Sequence, residues 1–224
     1  MVNIVLSVIT AALLGYLLGS INSAIIFVKL LRGEDVRNFG SGNAGLTNTL
    51  RCFGKNCAIL TLIGDLSKGV IAVVLSRVFC GLLDGGIFDG KLTSTHYVGY
   101  IAGFFAVIGH IFPIYYGFKG GKGVLVGVST FIAVDPLLFA ILIAIFATVL
   151  TLSKYVSLAS IIAACTVAPL TFAMQYFLFG VKLNISLLYT VLSFIMAMTV
   201  IVMHKENIKR LASGTENRFS FKKK

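Results

Sequence analysis

The run VLVGVSTFIAVDPLLFAILIAIFATVLTLS, Val124 to Ser153, contains no Lys, Arg or Glu and a single acid, Asp135, immediately before Pro136. It exceeds the ~20 apolar residues that one membrane passage needs. Proline breaks an interior helical ladder and turns the residue before it away from the α conformation. The run is therefore expected as two rather short helices joined by an outer turn at Asp135-Pro136. The first of them spans only if it begins near the Gly120-Gly121 pair.

Outward from this run the chain repeats the same character. The first charge is Lys29, so Met1 to Val28 is expected to cross as one helix. Ala58 to Leu83 follows, interrupted by Asp65, Lys68 and Arg77, and Tyr97 to Tyr116, Val156 to Val181 and Leu183 to Met203 hold no acid, Lys or Arg. The 224 residues are 58% hydrophobic and 12% charged, with a mean hydropathy of +0.97. Soluble chains carry roughly 25% charged residues. The composition excludes a soluble domain, a disordered chain, collagen and a coiled coil.

The net charge of +11 could serve nucleic acid, anionic lipid or a phosphorylated substrate, and its placement decides. Lys29, Arg32, Arg37, Arg51 and Lys55 lie between the first two runs, Lys119 and Lys122 follow the third, and Lys205, Lys209, Arg210, Arg218 and Lys222 to Lys224 follow the last. The positive-inside rule puts all three clusters in the cytoplasm. With the split at Asp135-Pro136, Lys154 falls inside as well, and only Lys91 and Lys182 fall outside. The expected fold is an all-α integral membrane protein of seven transmembrane helices, N-terminus outside and C-terminus cytoplasmic, a single polytopic domain over 1–224. The N-terminus lacks the basic start of a cleavable signal, and its apolar run outlasts an h-region.

Three polar motifs share the inner face, at 40–51, 109–123 and 204–216. GSGNAGLTNTLR, Gly40 to Arg51, opens like a dinucleotide fingerprint. That fingerprint has meaning only after a strand in a βαβ unit, and here a membrane helix precedes it. Its physical content survives: closely spaced glycines let backbone N–H groups approach an anion, Ser41, Asn43, Thr47 and Asn48 add neutral donors, and Arg51 adds a fixed charge. GHIFPIYYGFKGGKG, Gly109 to Gly123, has Gly where a Walker loop needs Ser or Thr after its Lys, so it is no P-loop. Lys119 and Lys122 beside Gly120 and Gly121 at a helix start still suit phosphate, or alternatively anchor the helix at the headgroups.

HKENIKRLASGTE, His204 to Glu216, places His204 and Asn207 at i, i+3 on one helical face. Glu206 and Arg210, at i, i+4, are expected to pair. Asp65 and Lys68 are also expected to pair, as a structural or a functional couple. Ser157 and Ser160 sit at the inner end of a helix, where most serines bond only to their own backbone. The tail RFSFKKK reads as a basic, aromatic patch for anionic lipid.

Other chemistries lack their residues. No G-x-S-x-G elbow, H-x4-D pair or H-E-x-x-H is present, the acids form no metal cluster, and Cys52, Cys57, Cys80 and Cys165 read as free thiols. What remains is a pocket of glycines, small polar residues and cations at the membrane surface. It fits a substrate with phosphate in water and a fatty chain in lipid. A transporter of phosphorylated metabolites is the rival class, but it should place polar groups near the midplane on broken helices. A scaffolding membrane protein leaves the glycine-rich loops unexplained.

GSGNAGLTN with Arg51, GHIFPxxxxFKGGKG and HKENIKRLxxGxE resemble the three motifs of the PlsY family, the bacterial acyl-phosphate:glycerol-3-phosphate acyltransferases. GYLLGSINSA (Gly15 to Ala24) and GDLSKG (Gly64 to Gly69) are similar to that family too, so the resemblance covers nearly the whole chain in order. The family's GSGNPGATN departs here at Ala44 and Leu46. The resemblance implies a seven-helix enzyme of the bacterial cytoplasmic membrane, its active site facing the cytoplasm, with no cofactor or metal, no nucleic acid and no obligate protein partner. It implies transfer of an acyl group from acyl-phosphate to glycerol 3-phosphate, giving 1-acylglycerol 3-phosphate and phosphate. Ser41, Arg51, Lys119 and Lys122 would hold phosphates, and Ser157, His204 and Asn207 would complete the pocket, with Ser41, Ser157, His204 and Asn207 as the catalytic set.

Overall fold

A computed structural model describes residues 4–83 and 96–219. Among these the regular structure is helical, in the order α1 (Ile4–Gly19), α2 (Ser23–Arg32), α3 (Leu46–Leu83), α4 (His96–Ile111), α5 (Val124–Val134), α6 (Pro136–Ser153), α7 (Val156–Phe172), α8 (Leu183–Val202) and α9 (Lys205–Ala212). The chain groups into two compact units, Met1–Val134 and Asp135–Lys224. Six stretches of the described residues are long and apolar enough to cross a membrane: Ile4–Arg32, Leu46–Gly81, His96–Tyr116, Pro136–Ser153, Val156–Leu178 and Leu183–Val202. Helix α5 has 11 residues, about 16 Å of rise against a hydrocarbon core of about 30 Å. It starts at Val124 and not at the glycine pair.

The first unit is built on close helix approach. Ala11, Gly15 and Gly19 recur every fourth residue along α1 and are buried. A side chain at Gly15 would meet the backbone of Ala102, one at Gly19 the backbone of Ala106, and one at Gly109 the Tyr16 carbonyl. Small residues on one stripe let α1 and α4 touch backbone to backbone, the usual device where lipid removes the hydrophobic drive for association. The expected single first helix is broken at Ser20–Asn22. Ser20 Oγ donates back to the Tyr16 carbonyl at 2.8 Å. Asn22 caps α2, accepting the Ile25 N–H on Oδ1 at 3.1 Å. The polar S-I-N-S run offers cap chemistry that an unbroken helix would waste.

Helix α3 begins at Leu46, well before the expected Ala58, and changes direction at Gly54, where φ is 82° and ψ is −174°. Alongside α4, α5 runs the opposite way: Gly123 lies by Val107 and Ile111, Thr130 by Gly103 and Val134 by Gly99. Arg77 of α3 donates from Nη1 to the Ala133 carbonyl at 3.2 Å, which satisfies a carbonyl of the last turn of α5.

The second unit opens at the expected break. Pro136 occupies the first turn of α6, where its missing N–H costs nothing, and Asp135 Oδ1 accepts the Leu138 N–H at 3.1 Å. Gln175 Nε2 donates to the other carboxylate oxygen at 3.2 Å. Lys154, at φ 63°, ends α6 in the left-handed conformation. Helix α7 packs with α6 and α8 and runs into a π-helical turn, Ala173–Leu178.

Candidate active site

In the first unit, two glycine-rich loops are joined backbone to backbone. Gly40 and Gly42 adopt positive φ, 59° and 70°, so the loop 39–45 can fold tightly over the start of α3. Asn48 organises it: Oδ1 accepts the Ser41 N–H at 3.0 Å, and Nδ2 donates to the Phe39 and Val36 carbonyls at 2.9 and 3.2 Å. The Asn48 amide is thus engaged with the loop's own backbone. The Ala44 N–H reaches the Gly120 carbonyl at 3.3 Å, and the Ala44 carbonyl accepts from Asn22 Nδ2 at 3.3 Å. Ser41 and Arg51 are exposed, and Asn43 and Thr47 half-buried. The first N–H groups of α3 open toward this loop, the end of a helix that favours anions.

The second loop returns onto its own helix. The Gly120 and Gly121 N–H groups donate to the Ile111 and His110 carbonyls, both at 3.1 Å. Gly121 has no room for a side chain, because a Cβ would strike His110 Nε2 and the Ala44 carbonyl. Lys119 is exposed and Lys122 half-buried. Arg37, which the sequence placed only among the inner-face cations, clasps this loop. Its Nε and Nη2 donate to the Asp35 carboxylate at 2.7 to 3.1 Å, and Nη1 donates to the Tyr116 carbonyl at 2.7 Å and the Lys119 carbonyl at 3.3 Å. The Arg37 hydrogen bonds hold the Asp35 carboxyl below its ordinary range, against a smaller opposing effect of burial. Beneath both loops lies the expected Asp65–Lys68 pair, Nζ to Oδ1 3.0 Å.

In the second unit, His204 follows α8 and starts α9. Its Nδ1 lies 2.8 Å from the Val200 carbonyl. A carbonyl only accepts, so Nδ1 carries a proton. Asn207 and Ser157 converge on one carboxylate that sequence reasoning had given no role. Glu216 Oε1 accepts from Asn207 Nδ2 at 2.8 Å and from Ser157 Oγ at 2.9 Å, while Arg210 Nε donates to Oε2 at 2.7 Å. The expected Glu206–Arg210 pair is not formed. Arg210 turns to Glu216, and Glu206 takes exposed Lys209 at 3.4 Å. Gly214, at φ 69°, and the Thr215 N–H on the Arg210 carbonyl make the turn that brings Glu216 back.

Burial opposes the charge on Glu216, but the hydrogen bonds from Asn207, Arg210 and Ser157 outweigh it and hold the carboxyl below its ordinary value. Ser160 bonds to the Val156 carbonyl of its own helix, as expected. The tail lies back on this unit, with the Phe219 N–H on the Lys154 carbonyl at 2.7 Å and Arg218 over the Tyr155 ring at 5.8 Å. Lys222, Lys223 and Lys224 of the lipid-patch reading, and Lys91, lie outside the described residues. Among the described residues no cluster of His, Cys, Asp and Glu is placed to hold a metal, and the four cysteines are free thiols.

Membrane-length apolar helices joined by glycine-rich loops that carry cations define the class of an integral membrane protein. Comparison with known proteins sharpens the class. Residues 9–214 match the family model described as glycerol-3-phosphate acyltransferase. A glycerol-3-phosphate acyltransferase of Clostridioides difficile (strain 630) is 38% identical over 220 residues, 98% of each chain. One of Chlorobaculum tepidum is 39% identical over 232 residues, 98% of this chain and 99% of its own. The crystal structure of PlsY, an integral membrane glycerol 3-phosphate acyltransferase, in its glycerol 3-phosphate form matches with TM-score 0.77 and 32% identity over 96% of both chains. Its lysophosphatidic acid form matches with TM-score 0.75 and 30% identity. The chain belongs to the glycerol-3-phosphate acyltransferase family, in its PlsY branch.

Proposed function

We propose that the protein transfers an acyl group from acyl-phosphate to glycerol 3-phosphate, independently of acyl-CoA, and releases 1-acylglycerol 3-phosphate and inorganic phosphate. The acceptor hydroxyl oxygen attacks the acyl carbonyl carbon, and the bond from that carbon to the phosphate oxygen breaks. Acyl-phosphate is a mixed anhydride with a good leaving group, so orientation and charge stabilisation do most of the catalytic work. Ser41, Asn43, Thr47, Arg51, Lys119 and Lys122 hold phosphate oxygens, and Asn48, Gly120 and Gly121 contribute through the loops they shape. Ser157, His204 and Asn207 serve the acyl transfer. The hydroxyl proton goes to the leaving phosphate or to His204. No acyl-enzyme and no cofactor are needed.

The observation that carries the proposal is the Ala44–Gly120 backbone pairing, which joins the loop of Ser41, ahead of Arg51 on α3, to the loop of Lys119. The site belongs on the cytoplasmic face of the bacterial cell membrane by the positive-inside rule. Counting α5 with the loop residues just before it as a short seventh passage puts the N-terminus outside and the C-terminus inside. Support comes from the course of α5 beside α4 between Ile111 and Gly99.

Purified protein given palmitoyl-phosphate and glycerol 3-phosphate should form lysophosphatidate and phosphate one to one. Palmitoyl-phosphate without acceptor, and palmitoyl-CoA with it, should give no product. Phosphate release without acceptor would replace direct transfer by hydrolysis or an acyl-enzyme. No turnover by folded protein would revive the transporter.

A further inference from the structure

The segment Gly64 to Gly69, GDLSKG, meets four other elements of the first unit. Gly64 lies against Ser23 at the start of α2, and Gly69 against Ser129 and the Val126 carbonyl of α5. Between these glycines Asp65 and Lys68 are buried, their side chains 1% and 6% exposed. The Lys68 ammonium faces three partners that diverge in the chain, one held by charge and two by hydrogen bonds. Asp65 Oδ1 lies at 3.0 Å, the Ile21 carbonyl at 2.8 Å and His110 Nδ1 at 2.9 Å.

Each of the last two acceptors leads to a loop of the site. Ile21 sits in the break between α1 and α2, next to Asn22, whose Nδ2 holds the Ala44 carbonyl of the first loop. His110 lies in the last turn of α4, its carbonyl accepts the Gly121 N–H, and its Nε2 fills the space a Gly121 side chain would need, beside the Ala44 carbonyl. A Lys–Asp couple that only neutralised itself would need neither contact. Such couples are also weak stabilisers, since apolar substitutes of similar volume often serve as well.

We propose that Lys68 is a positioning residue for the reaction: through Ile21 and His110 it sets the register of the two glycine-rich loops, and it acts on substrate only through them. This rests on the acyl transfer proposed above. Asp65 is the ion-pair partner of Lys68 inside the helix bundle, and Gly64 and Gly69 let α2 and α5 close around the pair.

The test is the double variant Asp65→Asn/Lys68→Met, which removes both charges and leaves neither stranded. Its melting temperature in detergent should stay near that of the wild type. Its kcat/KM for glycerol 3-phosphate should fall about 10- to 100-fold, mostly through KM, because displaced binding loops cost that much without touching the chemistry. Backbone hydrogen exchange should speed up in peptides holding Ala44 and Gly120–Gly121, while peptides from the middle of α4 stay protected.

Wild-type kinetics, or unchanged exchange in those loops, overturns the proposal. If the double variant melts early, Lys68→Arg replaces it with the same two outcomes, since a planar guanidinium cannot reproduce the ammonium's divergent contacts. A wild-type protein without turnover would overturn the acyl-transfer reading instead, and loop exchange alone would then decide the register claim.

Discussion

Arg51 is an exposed cation near the start of α3, beside a loop whose own polar groups are neutral. A planar guanidinium grips phosphate with two parallel N–H bonds, whereas an ammonium is a point charge. Arg51→Lys should therefore lower kcat/KM for glycerol 3-phosphate by about 10- to 100-fold, the worth of one hydrogen bond to a charged group. A steady-state assay that finds full activity would remove that role. Glu216 makes a second residue-scale prediction. Its carboxyl titrates below the ordinary 4.5 in the folded protein, so its contribution is complete above that value and is lost as pH falls through the depressed one. Glu216→Gln should cost about 1–2 kcal/mol at pH 7, after allowance for the partly exposed Arg210. The gap in melting temperature between the two proteins should hold steady down to about pH 5 and close below 4.5. A constant gap at every pH would refute it. The sequence assigned roles to Ser157 and Asn207 but none to Glu216, the motif's last residue, whose carboxylate orients them. Ser157 lies 59 residues from Glu216, a separation no local spacing rule covers.

Elements in this chain are set by breaks as much as by runs. Asp135-Pro136 was legible because proline has one meaning inside a helix. The break at Ser20–Asn22 was not, because the apolar run continues through it and only the partners of Asn22, on Ile25 and Ala44, justify the cap. The start of α3 was missed for a related reason: Leu46 to Phe53 looks like polar loop until Asn48 is seen folding that loop onto it. Glycines separate two physical roles at this scale. Gly19→Ala places a Cβ against the Ala106 backbone, which cannot step aside, whereas Gly33→Ala meets open space at φ +72°. The first should destabilise by about 1–3 kcal/mol or more through overpacking of α1 on α4, the second by about 1–2 kcal/mol through backbone strain alone. Melting of the two variants should rank them in that order. Full activity with an unshifted melt for Gly19→Ala would mean that α1 and α4 do not pack as described.

For the whole molecule, the charge asymmetry predicts sidedness. In a background with Cys52, Cys57, Cys80 and Cys165 replaced by Ser, Lys182→Cys should react with a membrane-impermeant thiol reagent on intact cells. Lys55→Cys and Lys209→Cys should react only after permeabilisation. Labelling of Lys55→Cys in intact cells would reverse the topology, and labelling of both Lys55→Cys and Lys182→Cys would break the crossing count. That count turns on α5, whose 11 residues fall short of a full span. Beside α4, however, it runs from the level of Ile111 to that of Gly99.

The sequence by itself determined membrane residence, the helical class, the break before α6 and the three motifs. Each follows from local composition: apolar length, proline stereochemistry, or glycine and cation spacing. Tertiary structure alone decided what those motifs do to one another. The Ala44–Gly120 backbone bond, the Arg37 clasp, the three-way grip of Lys68 and the convergence on Glu216 all join residues far apart in the chain. A hydrogen bond depends on distance and angle in space, and in each case helix packing closes the gap before the bond can form.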